Sequence, residues 1–242
     1  MKYTQIPISA FAEMQLNAGI ITDDFTTSTG AYGEILGATT GGTNFSATPS
    51  YTDFGEDIDN CPKNTMELKK VEQWEVKMSG TFVNVTDNLA KMLVAAGTIT
   101  GQTYALTSDT ALVAGKKYYT RSGTEGSYVY TRVTTPSASD LSSYYEQTVS
   151  TVKVTPRAVL ERGDFHDIWW IGDYSDKNGN SNGGFVAIHL MNALNTGGFQ
   201  IQSSDKAKGQ FSYEFTGHYS ISAQDTVPFE IYIRQGADEP TT

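Results

Sequence analysis

Apolar and polar side chains alternate with a period of two in several parts of this chain. In residues 10–18, one side is formed by Ala12, Met14, Leu16 and Ala18, and the other by Glu13, Gln15 and Asn17. Successive side chains of a β-strand point to opposite faces, so this pattern predicts a strand with one buried and one polar face.

The same alternation returns in the middle and near the end of the chain. Between 74 and 85, Trp74, Val76, Met78, Gly80 and Phe82 alternate with Glu75, Lys77, Ser79 and Thr81. Between 210 and 219, Phe211, Tyr213 and Phe215 alternate with Ser212, Glu214 and Thr216. Phe229, Ile231 and Ile233 continue this pattern, and further strands are predicted at 165–172, 184–194 and 228–234.

One helix is predicted among these strands, over residues 87–97. Thr86 is a good N-cap, Asp87 suits the first helical turn, and Gly97 suits the C-terminal end. By contrast, residues 22–60 are rich in Gly, Thr and Asp. They are predicted to form a long connection, either functional in itself or an arm that reaches a neighbouring molecule.

Residues 100–150 differ in composition from the rest of the chain. They hold seven of the 14 tyrosines but no phenylalanine or tryptophan. Tyr118–Thr120 and Tyr128–Thr131 flank a glycine-rich turn at 123–126, which predicts a β-hairpin. We therefore expect a discontinuous main domain, 1–99 with 152–242, that carries an inserted Tyr-rich β module at 100–151.

Together these patterns predict a mainly β protein. Many strands with a single flanking helix are typical of a sandwich or a barrel. A chain of 242 residues is long enough for one large all-β domain with a small insertion. The predicted fold is thus a β-sandwich or barrel with one flanking α-helix, long loops and a small inserted β module.

The charge of the chain argues against tight binding to nucleic acid. The formal net charge is −10, and residues 1–60 hold eight acidic side chains against Lys2 alone. Affinity for phosphates comes mainly from Lys and Arg. An acidic surface instead repels DNA that has to move past it. No apolar stretch approaches the roughly 20 residues needed to cross a bilayer, and no secretory signal is visible at 1–7, so we expect folding in the cytoplasm.

No motif in the sequence predicts catalysis, a cofactor or a metal site. Phosphate-loop and dinucleotide-binding patterns are missing, and the three histidines lie on separate predicted strands without ligand spacing. Residues 173–180 superficially resemble a calcium loop, but a hairpin turn at Asn178-Gly179 fits better. Cys61 is more consistent with a structural thiol than with a nucleophile. We expect a protein that is not an enzyme.

Five segments resemble one family of structural proteins. The sequence reads LGATTGG at 36–42, FSATP at 45–49, DFGEDIDNCPKN at 53–64, WEVKMSGTFVNV at 74–85 and DFHDIWWIGDYS at 164–175. In this order they resemble the major tail tube proteins of long-tailed, siphovirus-type bacteriophages that infect Gram-positive bacteria. The likeness covers roughly 1–98 and 152–242, whereas the basic family pattern lacks the 100–150 segment.

The resemblance implies a virion protein that is assembled in the host cytoplasm. Six copies would form a ring, and stacked rings would make a hollow tube lined by a continuous β-barrel through which DNA passes during ejection without tight binding. The implied partners are further copies of the chain and the tape measure, tail terminator and baseplate proteins, with no membrane. The candidates for the acidic and polar lumen are Glu13, Gln15, Asn17, Ser212, Glu214 and Thr216; the candidates for ring-to-ring contacts are Asp53, Phe54, Glu56, Asp57 and Asp59.

A second interpretation gives the Tyr-rich insert the main role. A β-sandwich adhesin could bind cell-wall glycan through tyrosines of that module, which stack well on sugar rings. Its candidate residues are Tyr118, Tyr119, Tyr144 and Tyr145. Deletion of 100–150 separates the two interpretations, because a tube subunit should still form rings whereas an adhesin should lose its only activity.

Overall fold

The computed structural model describes residues 15–125, 127–148, 151–174 and 184–234. It divides into two compact units, which are described separately. The first combines Met1–Ala96 with Ala158–Thr242, and the second is Gly97–Arg157. The second unit thus begins at Gly97 and ends at Arg157, where the sequence predicted an insert at 100–151.

The described chain is mainly β, as predicted, with one α-helix and short 3-10 turns. In chain order the elements are β1 (Gln15–Thr22), β2 (Phe25–Thr26), β3 (Ala31–Tyr32), β4 (Thr39–Asp53), β5 (Lys69–Phe82), α1 (Asp87–Leu93), β6 (Gly97–Thr100), β7 (Thr103–Leu106), β8 (Tyr119–Ser122), β9 (Val129–Arg132), β10 (Tyr145–Thr148), β11 (Lys153–Pro156), β12 (His166–Tyr174), β13 (Phe185–Asn195), β14 (Gln200–Gln202), β15 (Gln210–Thr216) and β16 (Phe229–Arg234). The 3-10 turns are Met66–Leu68, Ala138–Ser143 and Arg162–Asp164.

Two antiparallel four-stranded layers form the first unit. Sheet I has the strand order β1-β12-β13-β16, and sheet II has the order β14-β15-β5-β4. The end of β13 also pairs with β15, through Leu194 and Thr216, and so connects the two sheets. The arrangement is a β-sandwich whose layers share one strand.

The main core lies between the two sheets and is closed by α1. Its buried members are Ile21, Leu36, Val76, Met78, Phe82, Leu89, Met92, Leu93, Ile168, Leu190, Ala193, Tyr213 and Phe215. The alternation predicted for 74–85 and 210–219 is confirmed over 74–82 and 210–216, where apolar residues pack into this core and their polar neighbours face away. Both strands end earlier than predicted, β5 at Phe82 and β15 at Thr216.

Helix α1 begins where the sequence predicts and ends earlier. The Thr86 hydroxyl accepts a hydrogen bond from the Leu89 N–H at 3.2 Å, which confirms the N-cap. The predicted end at Gly97 is wrong. The helix ends at Leu93, Ala95 adopts the left-handed conformation (φ +68°), and Gly97 already belongs to β6. An alanine in the role usually taken by glycine hid this boundary from the sequence.

The prediction of a long connection over 22–60 is also wrong in large part. Residues 39–53 form β4, which pairs with β5 along nearly its whole length. Two features hid this strand: Gly41 and Gly42, with φ of +76° and +82°, form a bulge, and Pro49 lies in the strand itself. β4 is an edge strand, where a proline without an N–H is tolerated.

The outer faces of the two sheets differ. On sheet I, the short β2–β3 hairpin places Phe25 against Trp169, Phe185 and Ala187, and these four residues form a second buried cluster. On sheet II, no part of the described chain forms a comparable apolar layer outside the sheet. One face of sheet II therefore remains polar and accessible.

Asn195 connects the helix, the β13–β14 turn and sheet II. It is only 3% exposed, and its amide donates to the Leu93 carbonyl at 2.6 Å and to the Gly198 carbonyl at 3.0 Å. Its side-chain oxygen accepts from the Glu214 N–H at 2.9 Å. One side chain thus forms hydrogen bonds with three backbone groups, at the end of α1, in the β13–β14 turn and on β15.

We expect Asn195→Ala to lower the free energy of unfolding by about 3 kcal/mol, because it leaves these backbone groups unpaired and partly buried. Urea denaturation measures the change. The matched control is Gln200→Ala, which removes an exposed amide whose Nε2 donates to the Gly197 carbonyl at 2.9 Å; it should cost no more than about 0.5 kcal/mol. Equal losses in both variants would contradict the assigned role of Asn195.

Candidate functional site

The outer side of sheet II carries a continuous polar surface, here called the polar face. Residues directly opposite each other in the ladders share a face, and the registers align Asn44, Ser46, Thr48, Glu75, Lys77, Ser79, Thr81, Gln200, Ser212, Glu214 and Thr216. All of them are half-buried or exposed. The predicted candidates Ser212, Glu214 and Thr216 therefore lie together on one surface.

The charges of the polar face are few and paired. It holds two carboxylates, Glu75 and Glu214, and one ammonium group, Lys77. The Lys77 Nζ lies 2.6 Å from Glu75 Oε1 and 4.0 Å from Glu214 Oε1. The hydrogen bond that Lys77 donates to Glu75 is the main cause that raises the pKa of Lys77. Lys77 thus keeps its positive charge, which the two nearby carboxylates balance. The other side chains of the polar face carry hydroxyl and amide groups.

Hydroxyl contacts fix the side chains at one end of the polar face. The Thr196 hydroxyl lies 2.7 Å from the Thr216 hydroxyl and donates to Glu214 Oε1 at 3.2 Å. Such contacts between side chains on one sheet face limit the rotamers available to Glu214. This end of the polar face therefore presents hydroxyl and carboxylate groups that are held by one another.

The other predicted lumen residues do not lie on the polar face. Gln15 and Asn17 belong to β1, the edge strand of sheet I, and Glu13 lies outside the described residues. The predicted sharing of one face by Gln15 and Asn17 is wrong. Gln15 lies beside Gly172, whereas Asn17 donates to the Asp173 carboxylate at 2.7 Å. Gly172 and Asp173 are consecutive residues of β12, so they face opposite sides of sheet I.

A bulge in β1 explains the difference. The register shifts between Leu16 and Ile20, and Asn17 and Gly19 have φ of +69° and +71°. A bulge breaks the simple period of two, so polar residues on either side of it no longer point in the same direction. The regular alternation of residues 10–18 in the sequence concealed it.

The predicted ring-contact residues gather at the end of the long β4–β5 hairpin. Beyond Trp74, the strands β4 and β5 pair only with each other in the described chain. Their connection, residues 54–68, is here called the hairpin tip. Phe54 is 58% exposed, and Glu56, Asp57 and Asp59 are exposed as well.

Asp53 organises the hairpin tip instead of forming its surface. Its carboxylate accepts hydrogen bonds from the N–H groups of Gly55, at 2.9 Å, and Asn64, at 2.8 Å. These two bonds lower the pKa of Asp53, so the carboxylate stays ionised and holds the loop at neutral pH. Cys61 lies inside this loop, with its Sγ 3.5 Å from the Thr65 hydroxyl. The tip is an ordered loop with an exposed aromatic residue.

Sequence reasoning missed part of the polar face. Lys77, Ser79 and Thr81 alternate as clearly as Ser212, Glu214 and Thr216, so the same signal could have identified them. Asn44 and Ser46 could not be identified in this way, because the glycines and the proline of β4 obscured the strand.

No protein-family model matches this sequence, and no curated protein does. The resemblance to tail tube proteins therefore remains an expectation from the sequence segments quoted above. Within the described residues, no helix is long and apolar enough to cross a membrane. The same part of the chain contains no cluster of three side chains that could hold a metal ion.

The histidines lie apart from the polar face, in packed surroundings. The His189 ring stacks on Trp169, with 4.0 Å between centroids and 3° between planes, and its Nε2 lies buried without a hydrogen-bond partner in the described structure. Burial lowers the pKa of His189, against the opposing effect of Asp167 and Glu230. His166 borders a cleft of about 290 Å³ beside α1, and burial lowers its pKa too.

We expect stability to fall as the solution is acidified below the ordinary histidine pKa of 6.5. In that range the unfolded chain takes up protons that buried His166 and His189 do not accept until the pH reaches their lower folded pKa values. Denaturation at about pH 7 and about pH 5 measures the effect. His189→Phe keeps a ring on Trp169 and should reduce the pH dependence; an unchanged pH dependence would contradict the assignment.

Proposed function

We propose that this chain is the repeating subunit of a phage tail tube, in which six copies form a ring and stacked rings enclose a channel for DNA. One observation carries the proposal. Sheet II has the protein core on one side and the accessible polar face on the other, and its outer strands β4 and β14 each pair with a single neighbour in the described chain.

Open sheet edges of this kind can join between copies. An edge strand presents unpaired N–H and C=O groups that can pair with another chain. If β14 of one copy lies beside β4 of the next, six sheets form a closed barrel with no remaining edge. At about 24 strands, about 4.8 Å apart and tilted by about 40°, the backbone diameter is about 48 Å, which leaves room for a DNA duplex.

The chemistry of the polar face suits a surface that DNA passes. Hydroxyl and amide groups dominate, and the one ammonium group among its residues is neutralised by Glu75 and Glu214. Tight binding of DNA needs several cations that replace counterions at the phosphates. The polar face has no unpaired ammonium or guanidinium group among its named residues, so DNA could move along it without being bound tightly.

Two further surfaces of the first unit support self-association. The hairpin tip displays Phe54 beyond the body of the sandwich and suits a contact between successive rings. On the edge strand β16, Ile231 and Ile233 are 53% and 63% exposed, although they lie on the face of sheet I that elsewhere forms the core. Exposed apolar residues at a sheet edge are typical of protein interfaces.

The partners and the location follow from the resemblance alone. A tube subunit belongs to the virion tail and is assembled in the host cytoplasm. Besides its own copies, it contacts the tape measure protein inside the tube, the tail terminator at one end and the baseplate at the other. The proposal requires no membrane, cofactor or catalytic residue.

A glycan-binding adhesin remains the alternative function, but only two of its four candidate tyrosines can contact a ligand. Tyr118 and Tyr144 are 1% and 4% exposed and form a small core with Leu141, so they are not available to a ligand. Tyr119 and Tyr145 lie on the other side of the sheet of the second unit and are half-buried. Any glycan binding must therefore depend on this second side.

Accessibility of the polar face tests the proposed channel. In a Cys61→Ser background, Ser79→Cys places a thiol on the polar face, and Val159→Cys places one at a position that is 71% exposed. We expect a bulky polyethylene-glycol maleimide to modify both variants as free subunits. After assembly it should modify only the Val159→Cys variant, while a small maleimide should still reach Ser79→Cys through the channel.

The opposite pattern would contradict the assignment. If the bulky reagent modifies Ser79→Cys equally well before and after assembly, the polar face lies outside the tube. Protection from the small reagent as well would mean that the face is buried in a subunit contact instead of lining a channel.

A further inference from the structure

The second unit has a sheet with two different sides. Its strand order is β7-β10-β8-β9, and one side is covered by the small core of Tyr118, Leu141 and Tyr144. On that same side the Lys116 ammonium lies between Asp109, at 2.8 Å, and Glu146, at 2.7 Å. This side therefore supplies the stability of the unit and has its charges paired.

The opposite side, here called the tyrosine face, combines four tyrosines with two arginines. The ladders place Tyr104, Tyr119, Arg121, Tyr130, Arg132 and Tyr145 on it. Tyr104 and Tyr130 stack with 4.1 Å between ring centroids, and Tyr119 and Tyr145 meet this pair at their edges, at 5.0 and 5.4 Å. All four tyrosines are half-buried, and both arginines are exposed.

Arg121 is held in place by aromatic rings. Its guanidinium lies 4.2 Å from the centroid of Tyr128 and 4.8 Å from that of Tyr145. In the described chain no carboxylate forms an ion pair with it. A guanidinium stacked in this way keeps its N–H groups directed outward, in the fork geometry that matches a carboxylate or a phosphate.

The charge of the second unit is opposite to that of the rest. Residues 97–157 contain six Lys and Arg against four Asp and Glu, a net charge of +2. The remaining residues sum to −12, which gives the whole chain its net charge of −10. The neutralised Lys116 lies on the other side of the sheet. The tyrosine face is thus a basic, aromatic surface on an otherwise acidic protein, and an anionic ligand complements it.

We propose that the tyrosine face binds an acidic polysaccharide, with pyranose rings against the tyrosines and an anionic substituent on Arg121. Tyrosine offers an apolar ring for the C–H face of a sugar and a hydroxyl for its polar groups. The anion is a carboxylate or a phosphate, since both fit the guanidinium fork.

A nucleic acid fits this surface less well. A polynucleotide carries a charge on every residue and relies on many Lys and Arg contacts, whereas the tyrosine face provides two arginines and the remainder of the chain repels polyanions. Two of the four rings also use one of their faces to stack on each other. A glycan with fewer charges and bulkier neutral rings avoids both problems.

The experiment uses the full chain as free subunits and four immobilised probes. They are oligosaccharides of hyaluronan, which have one carboxylate for every two sugar rings, the same oligosaccharides with their carboxylates methyl-esterified, a teichoic acid whose repeat places neutral sugar rings beside each phosphate, and oligo(dT). We expect saturable binding to at least one acidic glycan, and about tenfold weaker binding to the esterified probe if the carboxylate arm is the one that binds. The two acidic probes distinguish a carboxylate from a phosphate ligand.

Three variants assign the binding to the tyrosine face. Arg121→Gln should weaken it about tenfold, and Arg121→Lys, which keeps the charge but loses the fork, should also weaken it severalfold. Lys153→Gln is the matched control: it removes one exposed positive charge from β11 in the same unit and should change the affinity less than about twofold. Melting curves of each variant confirm folding.

Four results would overturn the proposal. They are no saturable binding to either acidic glycan, equal loss in Arg121→Gln and Lys153→Gln, tighter binding to oligo(dT) than to both acidic glycans, and self-association without glycan that Arg121→Gln abolishes. The last two would identify a nucleic acid or a second copy of this chain as the ligand. None of these results depends on tube formation, so failure here leaves the proposed function to its own test.

Discussion

Replacement of both Ile231 and Ile233 by asparagine is expected to leave the chain folded but unable to form rings. Both side chains are more than half exposed on the edge strand β16, so their contribution to the free subunit is small. In a ring they would be covered by the adjacent copy. At about 1 kcal/mol for each isoleucine and interface, six interfaces lose about 12 kcal/mol in total, enough to prevent closure of the ring.

Sedimentation velocity at a concentration where the unaltered chain assembles measures this effect. The matched control is Val159→Asn with Ile221→Asn, which changes two apolar residues that are 71% and 91% exposed elsewhere on the first unit. The control should assemble normally. Assembly of the Ile231/Ile233 variant, or a large fall in its melting temperature as a free subunit, would show that the two isoleucines do not form an interface.

Shortening the hairpin tip is expected to separate ring formation from stacking. Asp53 and Lys69 are the last paired residues of β4 and β5, so residues 54–68 can be replaced by Asn-Gly, the preferred two-residue turn. The ladder below the tip should be preserved. Because Phe54 and the acidic residues of the tip are removed, single rings should form and long tubes should not.

Electron microscopy counts rings and tubes in such a preparation. A larger deletion provides the control: replacement of Gly97–Arg157 by a short Gly-Ser linker removes the second unit but leaves the hairpin tip intact. β6 and β11, which begin and end that unit, pair side by side, so a short linker can bridge the gap. This deletion should still form tubes. Normal tubes from the shortened hairpin would show that the tip is not the stacking contact.

The sequence predicted most strands of this fold because one physical signal determines them. In β15 and in the part of β5 from Trp74 to Phe82, the apolar residues pack into the core and the polar residues face out. The N-cap of α1 could also be predicted, since the Thr86 hydroxyl accepts a hydrogen bond from an N–H only three residues further along the chain. Such short-range signals depend little on the rest of the chain.

The features that were missed depend on contacts distant in sequence. β4 contains Gly41, Gly42 and Pro49, residues that oppose a strand locally, and β5 supplies the pairing that outweighs them. The bulge in β1 likewise exists only against β12. The composition of the insert revealed a separate module, but only the register of its strands separated the buried Tyr118 and Tyr144 from the tyrosine face.

Cryo-electron microscopy of the assembled protein tests the central proposal most directly. We predict stacked six-membered rings whose channel is lined by sheet II, with Ser79, Ser212 and Glu214 facing the lumen and β14 of each copy beside β4 of the next. A chain that stays monomeric at high concentration and with its tail partners, or a tube in which the polar face of sheet II points outward, would contradict it.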